Sequence, residues 1–177
     1  MTPNNDQPPA ISVVIPVYNE MDSIPQLVTR LVDVLSRLGS WEILFINDGS
    51  NDGSSEVISS LCKTYPHHIR AIHLRRNLGK SAALELGFSH AKGEIIVMMD
   101  GDLQDQPEEI PRLLDHLNNN NLDVVTGWKK DRHDPLSKTL PSRLFNRVLR
   151  RISGLDIHDF NCGLKVLRRP GIANINL

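Results

Sequence analysis

Two aspartates one residue apart, Asp100 and Asp102, close an apolar run from Glu94 to Met99, and the side-chain amide of Gln104 follows two residues later. Carboxylate and amide oxygens are hard ligands that suit Mg²⁺ or Mn²⁺, cations commonly shared with substrate phosphates. A short apolar run of this kind is the pattern of a buried strand. In an open α/β sheet such a strand delivers its last residues to the edge where ligands bind. The simplest chemistry for the group is a metal site facing a nucleoside diphosphate. The competing reading is a capped turn with solvated acids. For an isolated Asp-x-Asp, which is short and frequent, that reading carries more weight, and the rest of the chain shifts the balance.

Two further loops leave the ends of apolar runs: Pro16-Val17-Tyr18-Asn19-Glu20 and Asn47-Asp48-Gly49-Ser50. Tyr18 can stack on a base, and Glu20 and Asp48 can accept hydrogen bonds from a base or a ribose. Taken singly, Asp48-Gly49 is an ordinary turn signal and Glu20 a solvated acid. Polar groups at three successive strand tips argue together for a nucleotide-type crevice. Arg75-Arg76-Asn77-Leu78-Gly79-Lys80 reads equally as a phosphate-binding neighbour, with Lys80 its candidate, or as a solvated basic turn; it is not a GxxxxGK[ST] loop. No Ser/His/Asp order recommends nucleophilic catalysis, and no Cys/His cluster recommends zinc.

The elements that must position these loops follow from periodicity. Strands are expected at Ile11–Pro16, Trp41–Asn47, Arg70–Leu74, Glu94–Met99 and Leu122–Thr126. Between them run helices: from Ser23, with Gln26 in capping-box spacing, to Gly39; from Ser54 or Ser55 to about Tyr65; from Gly79 to Ala91; and from Pro107 to the Asn118–Asn121 run. This alternation predicts an α/β fold, a mostly parallel sheet with helices on both faces. Asp156 to Lys165 reads as a polar loop.

The chain has 177 residues and a formal charge of −1. Residues 1–127 hold 9 Lys and Arg against 17 Asp and Glu, and residues 128–177 hold 11 against 4. We therefore divide it into a polar tail (1–10), an acidic α/β core (11–127) and a basic segment (128–177). Leu140, Leu144, Val148 and Ile152 keep near-helical spacing among Arg143, Arg147, Arg150 and Arg151. This reads as a helix on an anionic membrane or phosphorylated substrate, or equally as one packed on the sheet. Nucleic acid fits less well, since only Trp128 and Phe145 interleave with the charges. No apolar run approaches the roughly 20 residues of a membrane span. Cys62 sits on a predicted helix face and is expected to pack in the core; together with Cys162 it forms no CxxC, which agrees with a reducing cytosol.

In combination, Val14-Ile15-Pro16-Val17-Tyr18-Asn19-Glu20, Asn47-Asp48-Gly49-Ser50, Arg76-Asn77-Leu78-Gly79-Lys80 and Asp100-Gly101-Asp102-Leu103-Gln104-Asp105-Gln106-Pro107-Glu108 resemble the family 2 glycosyltransferases of the GT-A fold. The likeness is to the dolichol-phosphate mannosyltransferase-like, polyprenyl-phosphate branch, and it runs from about Ile11 to Arg169. It implies metal-dependent, inverting transfer of a sugar from a GDP- or UDP-sugar to a lipid phosphate at the cytoplasmic face of a membrane. It implies that Pro16, Tyr18 and Glu20 hold the nucleoside, and that Ile46 and Asp48 complete the base pocket. Asp100 and Gly101 would meet ribose and diphosphate, and Asp102 and Gln104 would ligate Mg²⁺ or Mn²⁺. Beyond Gly127, Lys129, Lys130 and Arg132 compete for the family's phosphate-holding arginine. Arg132 and Asp159 join Asp102 as catalytic candidates, with Asp159 better suited to orientation, and Arg147 is a further substrate contact. Lys165 stands where arginine is usual, which keeps the charge but loses the bidentate fork. The family continues past this element, so the chain is expected to be truncated at its C-terminus.

Two other readings stay open on the residues alone. One is a truncated, non-catalytic domain that binds nucleotide sugar. The other is a phospho-acceptor domain with Asp48, Asp100 and Asp102 around Mg²⁺, which leaves Tyr18, Glu20 and Gln104 without a task.

Overall fold

Near-continuous apolar runs make the two central strands, β1 (Ile11–Val17) and β2 (Trp41–Asn47), and every residue of β2 is buried. The computed structural model describes residues 8–127 and 162–172. Among these, a six-stranded sheet has the order β3-β2-β1-β4-β6-β5, with β3 at Ile69–His73, β4 at Ile95–Met98, β5 at Val124–Thr126 and β6 at Lys165–Arg168. β1 pairs in parallel with β2 (Val17 opposite Asn47) and with β4 (Val14 opposite Met98). From β1 the chain winds outward one way through β2 and β3, then returns to place β4 on the other side. The crevice at such a reversal, outside the carboxyl ends of β1 and β4, is where open α/β sheets bind ligands.

Strand alternation sorts the core into two layers. Val13, Ile15, Ile43, Phe45 and Val97 face α1 (Ile24–Leu35), α2 (Ser54–Thr64) and α4 (Ile110–Asn119). Val14, Leu44, Ile46, Ile96 and Met98 face α3 (Lys80–His90), with its Ala83 and Leu84. Cys62 is half-buried against the first layer, as expected. Helix α3 lies so close to the sheet that a β-carbon on Gly87 would overlap Val14 Cγ1 and stand 3.2 Å from Ile46 Cγ1. Among the described residues, no helix is long and apolar enough to cross a membrane.

Two expectations need correction, and one strand was not foreseen. The Ser23 hydroxyl makes no cap bond to α1; it donates to the Glu20 carbonyl and carboxylate, both at 3.0 Å, because that acceptor pair stands one turn back in the same loop. Pro107–Glu109 is a separate 3₁₀ turn before α4. Directly after the expected polar loop, from Lys165, comes an unforeseen strand, β6, which runs antiparallel between β4 and β5. Val166 and Leu167 there enter opposite core layers, a role that two apolar residues between Lys165 and Arg168 do not announce.

At the amino ends of the strands a buried polar network seals the sheet. Ser12 Oγ donates to Glu42 Oε1 at 2.6 Å, the Lys92 N–H donates to the same oxygen at 2.8 Å, and Arg70 Nε donates to Oε2 at 2.9 Å. Among the described residues the Glu42 oxygens are thereby occupied, and the network ties β1, β2, β3 and the approach to β4 together.

Gly87→Ala should gain roughly 1 kcal/mol of helix propensity yet lose more through overpacking, for a net destabilisation of about 1–2 kcal/mol. Urea denaturation should show a lower midpoint at an unchanged slope.

Candidate functional site

Four loops meet at the carboxyl edge of β1, β2, β3 and β4, and each is braced by another. In the loop after β1, Asn19 takes a left-handed conformation (φ 58°), which asparagine tolerates. Its N–H donates to Ser50 Oγ at 3.0 Å, and its side-chain oxygen accepts the Asn51 N–H at 2.9 Å. The Glu20 N–H donates to Ser54 Oγ and the Met21 N–H to Asp52 Oδ2. This bracing holds Tyr18 outward with 48% of its surface exposed, so its ring is available for stacking.

The loop after β2 is organised by two side chains. Buried Asn47 accepts the Ser50 N–H on Oδ1 and donates to Ser55 Oγ at 2.6 Å. Asp48, only 3% exposed, accepts the Leu78 N–H on Oδ1 at 2.7 Å and the Gly79 N–H on Oδ2 at 2.9 Å. The approach is close enough that a β-carbon on Gly49 (φ 71°) would lie 2.5 Å from the Arg76 carbonyl carbon. Asp52 takes the Ser54 N–H and hydroxyl on Oδ1. Its slight burial pushes its carboxyl up, but the bonds from Ser54 and Met21 outweigh this and hold it below the ordinary carboxylate range.

After β4, the Gln104 N–H donates to Asp102 Oδ1 at 3.0 Å, so the chain folds around the Asp102 carboxylate. Leu103 between them is left-handed (φ 64°). That is a costly conformation for a branched side chain, and such strain clusters at functional loops. Asp100 Oδ1 lies 2.5 Å from Lys80 Nζ, tying this loop to the start of α3. On the far side, Arg30 forks onto Glu108 at 2.6 and 2.9 Å, and this bond holds the Glu108 carboxyl below its ordinary value.

The loops enclose a cavity of about 420 Å³, in the range of small-molecule sites. Of the sequence candidates it brings together Pro16, Tyr18, Glu20, Asp48, Lys80, Asp100, Gly101 and Asp102, and it adds Val17, Asn77 and Gly79. Ile46 does not line the cavity: its side chain is fully buried with Val14, Leu44 and Ala83, covered by α3. The Gln104 side chain is exposed and outside the cavity wall, its N–H serving Asp102 instead. Lys165 opens β6 and donates to the Cys162 carbonyl at 2.5 Å. Lys129, Lys130, Arg132, Arg147 and Asp159, and the basic helix, lie outside the described residues. Sequence reasoning also missed the Glu42 network, whose partners are remote in the chain.

The donor set was compared with what a divalent ion requires. Mg²⁺ and Mn²⁺ are held by one or two carboxylates plus substrate phosphates. Asp102, half-buried on the cavity wall and accepting one backbone N–H, fits that demand. Asp100, spent on Lys80, fits it less well.

A mixed sheet, parallel through β1–β4, with this reversal and with acidic loops at its carboxyl edge has the α/β architecture of the GT-A class. The model of the family described as Glycosyl transferase family 2 matches residues 12–175, and the chain belongs to that family. It is 42% identical over 161 residues to the undecaprenyl-phosphate 4-deoxy-4-formamido-L-arabinose transferase of Salmonella typhimurium, covering 90% of this chain and 49% of that protein. The chain thus spans about half the length of the curated relatives it matches. Among solved structures it resembles mannosyltransferase PcManGT of Pyrobaculum calidifontis in complex with GDP-Man and Mn²⁺ (TM-score 0.66, 21% identity, 96% of this chain and 47% of that one). It also resembles glucosyl-3-phosphoglycerate synthase of Mycobacterium tuberculosis in complex with UDP (TM-score 0.67, 23% identity, 92% and 57%). These two likenesses establish the fold.

Two outcomes follow. Asp48→Ala should cost about 2–3 kcal/mol, the worth of two hydrogen bonds to a buried charge, and strip hydrogen-exchange protection from the Leu78 and Gly79 amides. Asp52, with a lowered pKa, contributes its stability in full above the ordinary carboxylate range and loses it as pH falls through the lowered value. The stability gap between wild type and Asp52→Asn, measured by denaturation against pH, should therefore be flat near neutrality and close on acidification.

Proposed function

We propose that this chain is the donor-binding part of a glycosyltransferase that moves a sugar from a nucleoside diphosphate sugar to a polyprenyl phosphate. The observation that carries this reading is the meeting, in one cavity at the sheet reversal, of an exposed Tyr18 ring, the Glu20 and Asp48 carboxylates, and Asp102. Tyr18 stacks on the base, and Asp48 retains lone pairs for a base N–H after accepting two backbone donors. Glu20, oriented by the Ser23 hydroxyl, accepts from the ribose. Lys80 places a cation where the diphosphate would lie and balances Asp100. The 42% identity to a protein named for transfer to undecaprenyl phosphate favours a lipid-phosphate acceptor, and the likeness to GDP-Man, UDP and Mn²⁺ complexes favours a GDP- or UDP-sugar donor with a divalent ion.

Asp102 would hold Mg²⁺ or Mn²⁺, and the bound ion would act as a Lewis acid on the leaving diphosphate. A phosphate acceptor is already anionic near neutral pH, so no strong general base is required. Its oxygen bonds to the anomeric carbon as the bond to the diphosphate breaks, with inversion. In this scheme Asp159 orients rather than abstracts a proton. Arg132, with Lys129 and Lys130, and Arg147 supply positive charge for phosphates, and the basic segment engages the cytoplasmic membrane surface.

Calorimetric titration with GDP-mannose, UDP-glucose and UDP-N-acetylglucosamine, in Mn²⁺ and in EDTA, tests the donor site. We expect Mn²⁺-dependent binding of one donor that Asp102→Ala abolishes without loss of folded yield. Binding indifferent to both EDTA and Asp102→Ala would sink the metal assignment. Transfer of labelled sugar to undecaprenyl phosphate then separates a transferase from a domain that only binds donor.

A further inference from the structure

The antiparallel strand β6 brings a residue from the far end of the sequence against the acidic loop. Its register on β4 sets Met98 opposite Lys165, and two further steps along the same register bring Gly163 opposite Asp100. Gly163 is buried there. A β-carbon on it would stand 2.6 Å from Asp100 Oδ2 and 2.9 Å from Asp100 Cγ, and would overlap Asp105 Oδ2. The backbone of Gly163 is not left-handed, so the demand for glycine comes from contact alone. Asp105 is 3% exposed and cannot move outward freely. The other oxygen of Asp100 is on Lys80. Asp100 is therefore held between the Lys80 ammonium on one side and the bare Gly163 backbone on the other.

We propose that Gly163 is a positioning residue for the diphosphate end of the cavity, acting through Asp100 and its partner Lys80. It sets how deep the Asp100 carboxylate sits, and through Gly101 on one side and the Asp105 contact beyond the strained turn at Leu103 on the other it sets where Asp102 points. A methyl at this position drives Asp100 off Lys80 and tilts the loop. The nucleoside end, built from the loops of Tyr18, Glu20 and Asp48, is held by its own bonds to Ser50, Ser54, Asp52, Leu78 and Gly79 and is left in place. This inference rests on the donor-site reading above.

The test compares binding of UDP and GDP in Mn²⁺ with binding of UMP and GMP in EDTA, for wild type and Gly163→Ala, alongside thermal melting. We expect Gly163→Ala to weaken the Mn²⁺-dependent diphosphate binding roughly tenfold to a hundredfold, as for a site group displaced by about an ångström. Monophosphate binding should stay within about twofold, well under the tenfold that 1.4 kcal/mol represents. Unchanged diphosphate affinity, or an equal loss for monophosphates and diphosphates, overturns the proposal. Should Gly163→Ala not fold, Gly163→Ala/Asp105→Ala measured against Asp105→Ala replaces it, because one of the two collisions is removed. The same selective loss supports the role, and equal affinities overturn it. A wild type that binds no diphosphate, with or without Mn²⁺, overturns the donor-site reading itself.

Discussion

A carboxylate taken out of water must find donors, and much of this site depends on where Asp48 finds them. Its two oxygens reach across to the Leu78 and Gly79 amides, which belong to a different strand-to-helix connection. Two bonds to one charged group lock the tip of β2 to the start of α3. Gly49 is pressed onto the Arg76 backbone, and Lys80 is delivered at the first turn of α3, within reach of Asp100. A chain of contacts then runs from β2 through α3 to the loop after β4. The loop after β1 is braced separately, by Ser50, Asp52 and Ser54. These bonds brace the cavity wall from within the chain, and a pre-braced wall lowers the ordering cost of binding.

The two aspartates of the acidic loop look equivalent in the sequence and are not equivalent in the fold. Asp100 is shared between Lys80 and the backbone of Gly163. Asp102 lies two residues on, at the start of the Leu103 turn, and among the described residues it accepts the Gln104 N–H. Two neighbouring carboxylates left without a cation would repel each other and a diphosphate. Pairing Asp100 with Lys80 leaves Asp102 as the acceptor better suited to a cation.

What the sequence discloses and what it withholds divide along a physical line. β1 and β2 are legible because strands buried on both faces are near-continuous apolar runs, and the four loops are legible because polar residues end such runs abruptly. Ile46 lies away from the cavity wall because a motif gives position along a strand but not where the covering helix begins, and position 46 lies under α3. The capping box at Ser23 failed because the nearer Glu20 offered better acceptors. β6 was invisible because its strand character lies in its partners, β4 and β5, rather than in its own four residues. Gly163 and Glu42 were missed for the same reason: what each does is set by residues far away in the chain.

The two ends of the sheet make opposite use of buried acids. At the amino end, Glu42 is saturated by Ser12, Lys92 and Arg70, all from this chain, so the charge is balanced and nothing further is asked of it. At the carboxyl end, Asp48, Glu20 and Asp102 line the cavity and accept fewer donors: two N–H groups for Asp48, the Ser23 hydroxyl for Glu20 and one N–H for Asp102. A buried or half-buried acceptor with capacity left over costs stability unless something completes it. Under the proposed reading, a nucleoside diphosphate sugar with a divalent cation would complete all three. The imbalance between the two ends therefore supports that reading without appeal to any motif.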